Sequence, residues 1–209
     1  LICLENALAN GTVVPLDVMK GVYEVAKCHN IPVHLDGARI FNAATTLGCT
    51  AADIAKYTDS VQFCLSKGLC APVGSILAGT EEFIKKARKN RKLLGGGMRQ
   101  AGILAAAGIV ALEKMTKRLA EDHENAKYLG KRLLEIPGIE LNLEKIQINM
   151  VFFKLNRPGF DSISLVSKLF EKGIKINGPE GGLFRFVTNN DVTKKDIDYV
   201  IDVMKEILS

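Results

Sequence analysis

Two stretches decide the fold: Ile31-Pro-Val-His-Leu-Asp-Gly-Ala-Arg39 and Asp59-Ser-Val-Gln-Phe-Cys-Leu-Ser-Lys-Gly-Leu-Cys-Ala-Pro-Val-Gly-Ser75. Each is a short apolar run that empties into a glycine turn. Ile31–Leu35 and Val61–Leu65 read as strands, with Val, Leu and Phe in place and Gly or Pro punctuation on both sides. Between them lie two short helical patterns, Arg39–Leu47 and Ala51–Tyr57. Strands that alternate with helices predict a largely parallel sheet covered by helices.

Working outward, the same alternation continues. Leu1–Leu4 reads as a strand. The stretch from Pro15 to His29 has helical apolar spacing, with Val18, Val22, Val25 and Ala26 on one face. Val73–Ala78 is a further strand, close enough to Val61–Leu65 to pair antiparallel. Thr80 is a candidate N-cap for Glu81–Lys89, with two acids in the first turn. The triple glycine Gly95-Gly-Gly97 breaks the pattern. Met98 to Ile136 then reads as one or two long helices, ended by Pro137-Gly138. Beyond Ile139 the period changes to strand Ile148–Leu155, helix Ser162–Lys172, strands Ile174–Ile176 and Leu183–Val187, and helix Thr193–Leu208. The expected organisation is therefore residues 1–114 as part of a large α/β domain, 115–138 as a linking helix, and 139–209 as a small C-terminal α/β domain.

The two deciding stretches also carry chemistry. Asp36 and Lys67 each stand at the carboxyl end of a strand, where open α/β sheets place their ligands. An Asp and a Lys so placed are the minimal set for pyridoxal 5'-phosphate (PLP). The Lys amine forms the Schiff base, and the Asp carboxylate keeps the pyridine nitrogen protonated so that the ring accepts electrons. Taken singly, a Lys after a strand is a solvated loop residue and an Asp before Gly a turn former. Phe63, Leu65, Leu69 and Val73 around Lys67 favour the chemical reading, because they predict a desolvated, nucleophilic amine.

Composition sets outer bounds. The 209 residues are 47% hydrophobic and 24% charged, with a formal charge of +5. These are globular values, without the signature of disorder. The basic runs Lys85–Lys92 and Lys114–Arg118 lack interleaved aromatics and read as solvated helix faces, not a nucleic-acid surface. No apolar run reaches the roughly 18 residues that span a bilayer. The five cysteines are odd in number and form no C-x-x-C pair, so core thiols in a reducing, cytoplasmic setting are expected. His29, His34 and His123 lack metal-ligand spacing with them, and no metal site is expected. The chain opens without Met inside an apolar strand, and no signal peptide is read there. It looks like a fragment of something longer.

Taken together, Leu4-Glu-Asn6, Val33-His-Leu-Asp-Gly-Ala-Arg-Ile-Phe-Asn-Ala43, Cys64-Leu-Ser-Lys-Gly-Leu69, Ala71-Pro-Val-Gly-Ser75, Arg91-Lys92, Gly95-Gly-Gly-Met-Arg-Gln-Ala-Gly-Ile-Leu-Ala-Ala-Ala107 and Phe184-Arg-Phe-Val-Thr188 resemble the PLP-dependent low-specificity L-threonine aldolases of the aromatic amino-acid β-eliminating lyase family. The resemblance runs the length of the chain. It implies the aminotransferase-like fold (fold type I), here as an incomplete large, mostly parallel sheet domain plus a small C-terminal domain. It implies a lyase of threonine catabolism that cleaves L-threonine or L-allo-threonine to glycine and acetaldehyde, working as a homodimer or homotetramer. Residue by residue, it implies Lys67 as the Schiff-base lysine and Asp36 as the pyridinium partner. Arg39 and Arg185 match substrate-carboxylate arginines. Lys92, Arg99 and Ser66 match positions near the cofactor phosphate.

Departures from the family stand beside these matches. Relatives are longer at the amino end, where they carry a glycine-rich phosphate segment and a ring-stacking histidine. Glu5-Asn-Ala-Leu8 stands where many have Glu-Asn-Thr-His, and Asn189 where many have His. The alternatives are another β-eliminating PLP lyase, or a truncated fragment with poor activity of its own.

Overall fold

The computed structural model describes residues 1–208 and divides into two compact units. The first comprises Leu1–Ala9 and Val13–Leu119; the second comprises Asn10–Thr12 and Ala120 onward.

The first unit is built on a four-stranded sheet in the order β1-β2-β3-β4. Its strands are β1 (Ile2–Glu5), β2 (Val33–Asp36), β3 (Ser60–Cys64) and β4 (Ser75–Gly79). β1, β2 and β3 are parallel, and β4 runs antiparallel to β3. Helix α1 (Leu16–Cys28) connects β1 to β2, and α2 (Ile40–Leu47) and α3 (Ala51–Ala55) connect β2 to β3. Parallel neighbours require such crossovers, whereas the β3–β4 turn is short because its strands are antiparallel.

Local chemistry fixes the ends of these elements. Thr50 caps α3 in a reciprocal box: its hydroxyl accepts from Asp53 N, and the Asp53 carboxylate accepts from Thr50 N. Gly48 closes α2 in the left-handed conformation, φ 64°, which costs glycine little. Asp59 fastens the start of β2, accepting from Val33 N at 2.8 Å and from Lys27 Nζ at 2.6 Å.

α1 forms as expected, but its buried face does not follow the valines. Met19 and Ala26 are buried, while Val18 and Val25 are exposed. Both lie a quarter-turn from the Met19–Ala26 stripe, so the apolar pattern is wider than the face that packs. β4, α4 (Glu81–Leu93) and α5 (Gly102–Glu113) are also lightly covered. Every residue of β4 is exposed, α4 buries none, and α5 buries only Gly108 and Ala111. Leu94 and Ile103 are 87% and 85% exposed.

The second unit carries a three-stranded antiparallel sheet, β5-β6-β7: β5 (Ile139–Glu140), β6 (Met150–Leu155) and β7 (Phe184–Val187). Helices α6 (Leu119–Leu133), α7 (Ser162–Glu171) and α8 (Lys194–Leu208) accompany it. Its core gathers Leu129, Leu133, Phe153, Leu165, Phe184 and Ile201. Phe153 stacks on Phe184 at 5.2 Å and meets Phe186 edge-on at 5.0 Å.

One expected helix differs in extent, and one expected strand is absent. Residues 115–138, expected as a linking helix, are α-helical over Leu119–Leu133. A 3-10 turn at Met115–Lys117 precedes α6, whose Ala126, Leu129 and Leu133 belong to the second unit's core. The expected strand Ile174–Ile176 does not form. Gly173 turns the chain with φ 78°, and the Ile174 N–H is spent on the carbonyl of Leu169 at 2.9 Å, closing α7. Ile174 and Ile176 pack on the core from an irregular segment.

The cysteines also differ from expectation. Among the described residues none of the five is in a disulfide, with Cys3, Cys28 and Cys70 exposed and Cys49 and Cys64 half-buried. None is a core thiol. Burial pushes the Cys49 thiol up, and the nearby Asp53 carboxylate adds to the shift. Among the described residues no cluster of His, Cys, Asp and Glu has the arrangement of a metal site, and no helix is long and apolar enough to cross a membrane.

Candidate active site

The carboxyl edge of the parallel sheet assembles the candidate site. Asp36 is the last residue of β2, and its partner in the β2–β3 ladder is Gln62. Partners in register project to the same face. The ladder continues past the strand end, because Gly37 N donates to the carbonyl of Gln62 at 2.8 Å. Gly37 is required here by space rather than by φ: a Cβ would lie 2.9 Å from that carbonyl oxygen and 3.1 Å from Ile40 Cβ.

The Asp36 carboxylate accepts two hydrogen bonds, both at Oδ1. One comes from Ala38 N at 3.0 Å, the other from Nε2 of Gln62. Among the described residues nothing donates to Oδ2, which is left open. One pleat earlier on the same face, His34 Nδ1 and Ser60 Oγ are hydrogen-bonded at 2.8 Å. The two adjacent strands thus hold two polar cross-strand pairs on one face.

Lys67 projects from the turn that follows β3. Leu65 closes this turn: its N–H donates to Gly74 O at 2.9 Å and its carbonyl accepts from Ala71 N at 3.0 Å. Cys70, in the left-handed conformation at φ 58°, donates its N–H to Lys67 O at 3.0 Å. Gly68 is buried, and a Cβ there would come within 3.2 Å of both Asn42 Oδ1 and Leu119 Cδ2. The glycine after the lysine therefore lets the turn seat against α2.

The apolar shell expected around Lys67 is not formed. Leu65 and Leu69 turn inward to a cluster with Ala71, Ala111 and Leu119, while Val73 and Lys67 itself are exposed. The inward residues anchor the turn and leave the amine in solvent. Among the described residues the Lys67 amine makes no hydrogen bond or ion pair, so it is unengaged.

The remaining sequence-derived residues fall in three places. Arg39 stands half-buried just before α2, three residues beyond Asp36. Ser66 is exposed beside Lys67. Lys92 and Arg99 flank the triple glycine and are exposed. The Lys92 side chain lies over Gly97, where a Cβ would meet its Cδ at 2.8 Å.

Arg185 belongs to the second unit. It is opposite Phe152 in the β6–β7 ladder and exposed, while its neighbours Phe184 and Phe186 are buried, as strand alternation requires. It lines a groove of about 630 Å³ with Ile174, Ile176, Thr188, Ile197 and Tyr199. The end of its strand is firmly held. Thr188 Oγ1 donates to Asp122 O at 2.6 Å, and Asn149 Nδ2 donates to Thr188 O at 2.6 Å, all three residues being buried.

Sequence reasoning missed Gln62 and Asn42. Gln62 carried only a weak signal, as a polar residue in a buried-looking strand; its pairing with Asp36 comes from the register. Asn42 carried a signal too, as an amide in the middle of the apolar helix Ile40-Phe-Asn-Ala43; it is 3% exposed.

This arrangement, with charged residues at the carboxyl ends of adjacent parallel strands and glycines clearing the space beside them, is that of an α/β protein at the edge where such sheets place ligands. Comparison narrows the class. The structure superposes on a threonine aldolase from Leishmania major with a TM-score of 0.74 at 19% identity, over 99% of this chain and 60% of that one. It superposes equally, at 0.74 and 17% identity, on a PLP-dependent aminotransferase from Streptococcus suis, over 99% and 56%. The fold is therefore the aminotransferase-like one.

Residues 1–156 match the beta-eliminating lyase family, and the chain belongs to that family. In sequence it is 40% identical over 211 residues to low-specificity L-threonine aldolase 1 of Arabidopsis thaliana, covering 100% of this chain and 59% of that protein. It is 40% identical over 197 residues to the low-specificity L-threonine aldolase of Escherichia coli K12, covering 94% and 57%. The chain thus spans less than two thirds of the length of these relatives.

Proposed function

We propose that this chain contributes the lysine and aspartate of a PLP-dependent lyase that cleaves L-threonine or L-allo-threonine to glycine and acetaldehyde. The observation that carries the reading is the pair at the sheet edge. Asp36 presents an open Oδ2 at the end of β2, and Lys67 presents an unengaged amine from the turn after the neighbouring strand β3. These residues fit PLP chemically: an amine free of ion pairs for the carbonyl carbon, and a carboxylate oxygen free to accept from the ring nitrogen. When bound, PLP supplies an electron sink for the bond broken at the substrate's α-carbon.

In this reading each residue has a bounded task. Lys67 holds the cofactor and exchanges protons near the α-carbon. Asp36 holds a proton on the ring nitrogen by presenting a negative oxygen to it. Arg39 and Arg185 are assigned the substrate carboxylate, because a planar guanidinium makes two parallel hydrogen bonds to it. Holding that carboxylate fixes rotation about the bond from the α-carbon to nitrogen, which selects the bond to be cleaved. Ser66, Lys92 and Arg99 are assigned to the phosphate region.

Assembly as a homodimer or homotetramer is part of the proposal. It is supported by the apolar residues left exposed on the first unit, among them Leu93, Leu94, Ile103 and Ile109. Placement in the cytoplasm is proposed with it, supported by five cysteines that form no disulfide among the described residues. Membership of the beta-eliminating lyase family favours one second reading, elimination of a β-substituent.

The test is Lys67→Ala in the full-length gene product. The expected result is loss of the cofactor's visible absorption band and of glycine and acetaldehyde formation. A variant that kept both would remove Lys67 from its role. Formation of a keto acid and ammonia, without acetaldehyde, would select elimination instead.

A further inference from the structure

We propose that Gln62 is a positioning residue for Asp36. It holds the carboxylate so that Oδ2, and not Oδ1, is the oxygen offered to the cofactor's ring nitrogen. The inference rests on the assignment of Asp36 made above and goes one residue beyond it.

Four observations carry it. First, Gln62 and Asp36 are register partners on adjacent parallel strands, and the Gly37 N–H to Gln62 carbonyl bond locks that register at its end. The two side chains therefore leave the sheet side by side, on one face. Second, the Gln62 amide and the Ala38 N–H both donate to the same oxygen, Oδ1. A single donor would leave the carboxylate free to swing about it. Two donors from different directions, one on β3 and one on the Gly37-Ala38 turn, fix the plane of the group.

Third, the residue that pairs with Asp36 on its other side is Glu5 of β1, in register and on the same face. A like charge on the β1 side and an amide donor on the β3 side act in the same direction, and both lean Asp36 towards Gln62. Fourth, the β4 partner of Gln62 is Leu77, which offers no hydrogen-bonding group, so the Gln62 amide has its partner in Asp36.

The chemistry follows from the two oxygens being unequal. An oxygen that already accepts two N–H bonds has little capacity left for a third donor. The open oxygen keeps its lone pairs for an incoming N–H. Without Gln62 the carboxylate keeps only the Ala38 bond and samples orientations that turn either oxygen away from the ring. The proton on the pyridine nitrogen is then less well held, although Asp36 is still present.

The experiment uses the full-length gene product loaded with PLP labelled with 15N at the pyridine nitrogen, whose chemical shift reports whether that nitrogen carries a proton. Gln62→Met matches the side chain in length but has no donor. Gln62→Leu is a second such variant, and Asp36→Ala is run in parallel. Both Gln62 variants are expected to move the 15N resonance part of the way toward unprotonated pyridine, and to weaken PLP binding, read by fluorescence titration, about five- to tenfold. Asp36→Ala should move the resonance further. If Asp36→Ala shifts the resonance and neither Gln62 variant does, the positioning role is refuted and the Asp36 assignment stands. If Asp36→Ala itself leaves it unmoved, that assignment fails, and the role of Gln62 falls with it.

Discussion

Gly37→Ala tests the geometry of the sheet edge directly. A Cβ at this position would lie 2.9 Å from the Gln62 carbonyl oxygen, 3.1 Å from Ile40 Cβ and 3.2 Å from Val61 Cγ2. The first of these is backbone, and it is the same oxygen that accepts the Gly37 N–H. Relief therefore requires β2 and β3 to separate at the point where they carry Asp36 and Gln62. Overpacking of this kind costs roughly 1–3 kcal/mol. The smaller entropy of the unfolded alanine chain returns about 0.4–1 kcal/mol, leaving a net loss centred at about 1.3 kcal/mol and at most about 2.6 kcal/mol.

Gly21→Ala is the matched control. Gly21 lies inside α1 with nothing within 4 Å of a built Cβ, so the same substitution should stabilise by about 0.5–1 kcal/mol. Both are measured by urea unfolding of the full-length gene product, followed by circular dichroism. Gly37→Ala with a midpoint at or above that of the unsubstituted protein would refute the argument, because the strands would have to accommodate a side chain where the geometry leaves no room.

Three further outcomes are expected. Phe153→Ala should destabilise the second unit by about 3–5 kcal/mol, since the ring is fully buried and touches both Phe184 and Phe186; the same unfolding measurement checks it. Arg185→Ala, and less so Arg39→Ala, should raise substrate KM by an amount equivalent to roughly 2–5 kcal/mol while leaving PLP affinity little changed; a KM that barely moves in both variants would place the carboxylate clamp elsewhere. The bonds from Lys56 and Thr50 hold the Asp53 carboxyl well below the usual carboxylate range. A depressed folded value means that its contribution is complete above the ordinary aspartate range and is lost as pH falls through that range and below. Asp53→Asn should therefore flatten the acid limb of the stability–pH curve, read from thermal midpoints at a series of pH values.

The fold was legible wherever a short apolar run met a glycine. β2 and β3 emerged from such punctuation within a residue or two, and so did the antiparallel β4. Boundaries that depend on tertiary pairing were not legible. Ile174–Ile176 has strand composition, but its first N–H is taken by the helix before it. β5 is two residues long and exists through its pairing with Leu155 and Lys154.

Much the same division holds for the site. The positions of Asp36 and Lys67, at or just beyond the ends of their strands, were readable, because each follows a short apolar run and precedes a glycine. The exposure of Lys67 was not, because apolar neighbours in sequence say nothing of which way they turn. Gln62 was hidden for the converse reason: its importance comes from register between strands, which sequence spacing alone does not fix.

The assignment of Asn10–Thr12 to the second unit bears on how the protein is made. Gly11, with φ 84°, sits where a Cβ would be 3.4 Å from Met150 Cβ and 3.5 Å from the Phe152 ring. This small piece leaves the ribosome before β2 and everything after it, whereas the β6 strand it rests on emerges after all four strands of the first sheet. Domains that fold as they emerge normally finish in order from the amino end. Here the second unit is discontinuous in sequence, so its completion must wait on an early segment held in reserve while the first unit forms around either side of it. A gene cut at Ala120 to express the second unit alone would deliver β6 without the chain that lies against it.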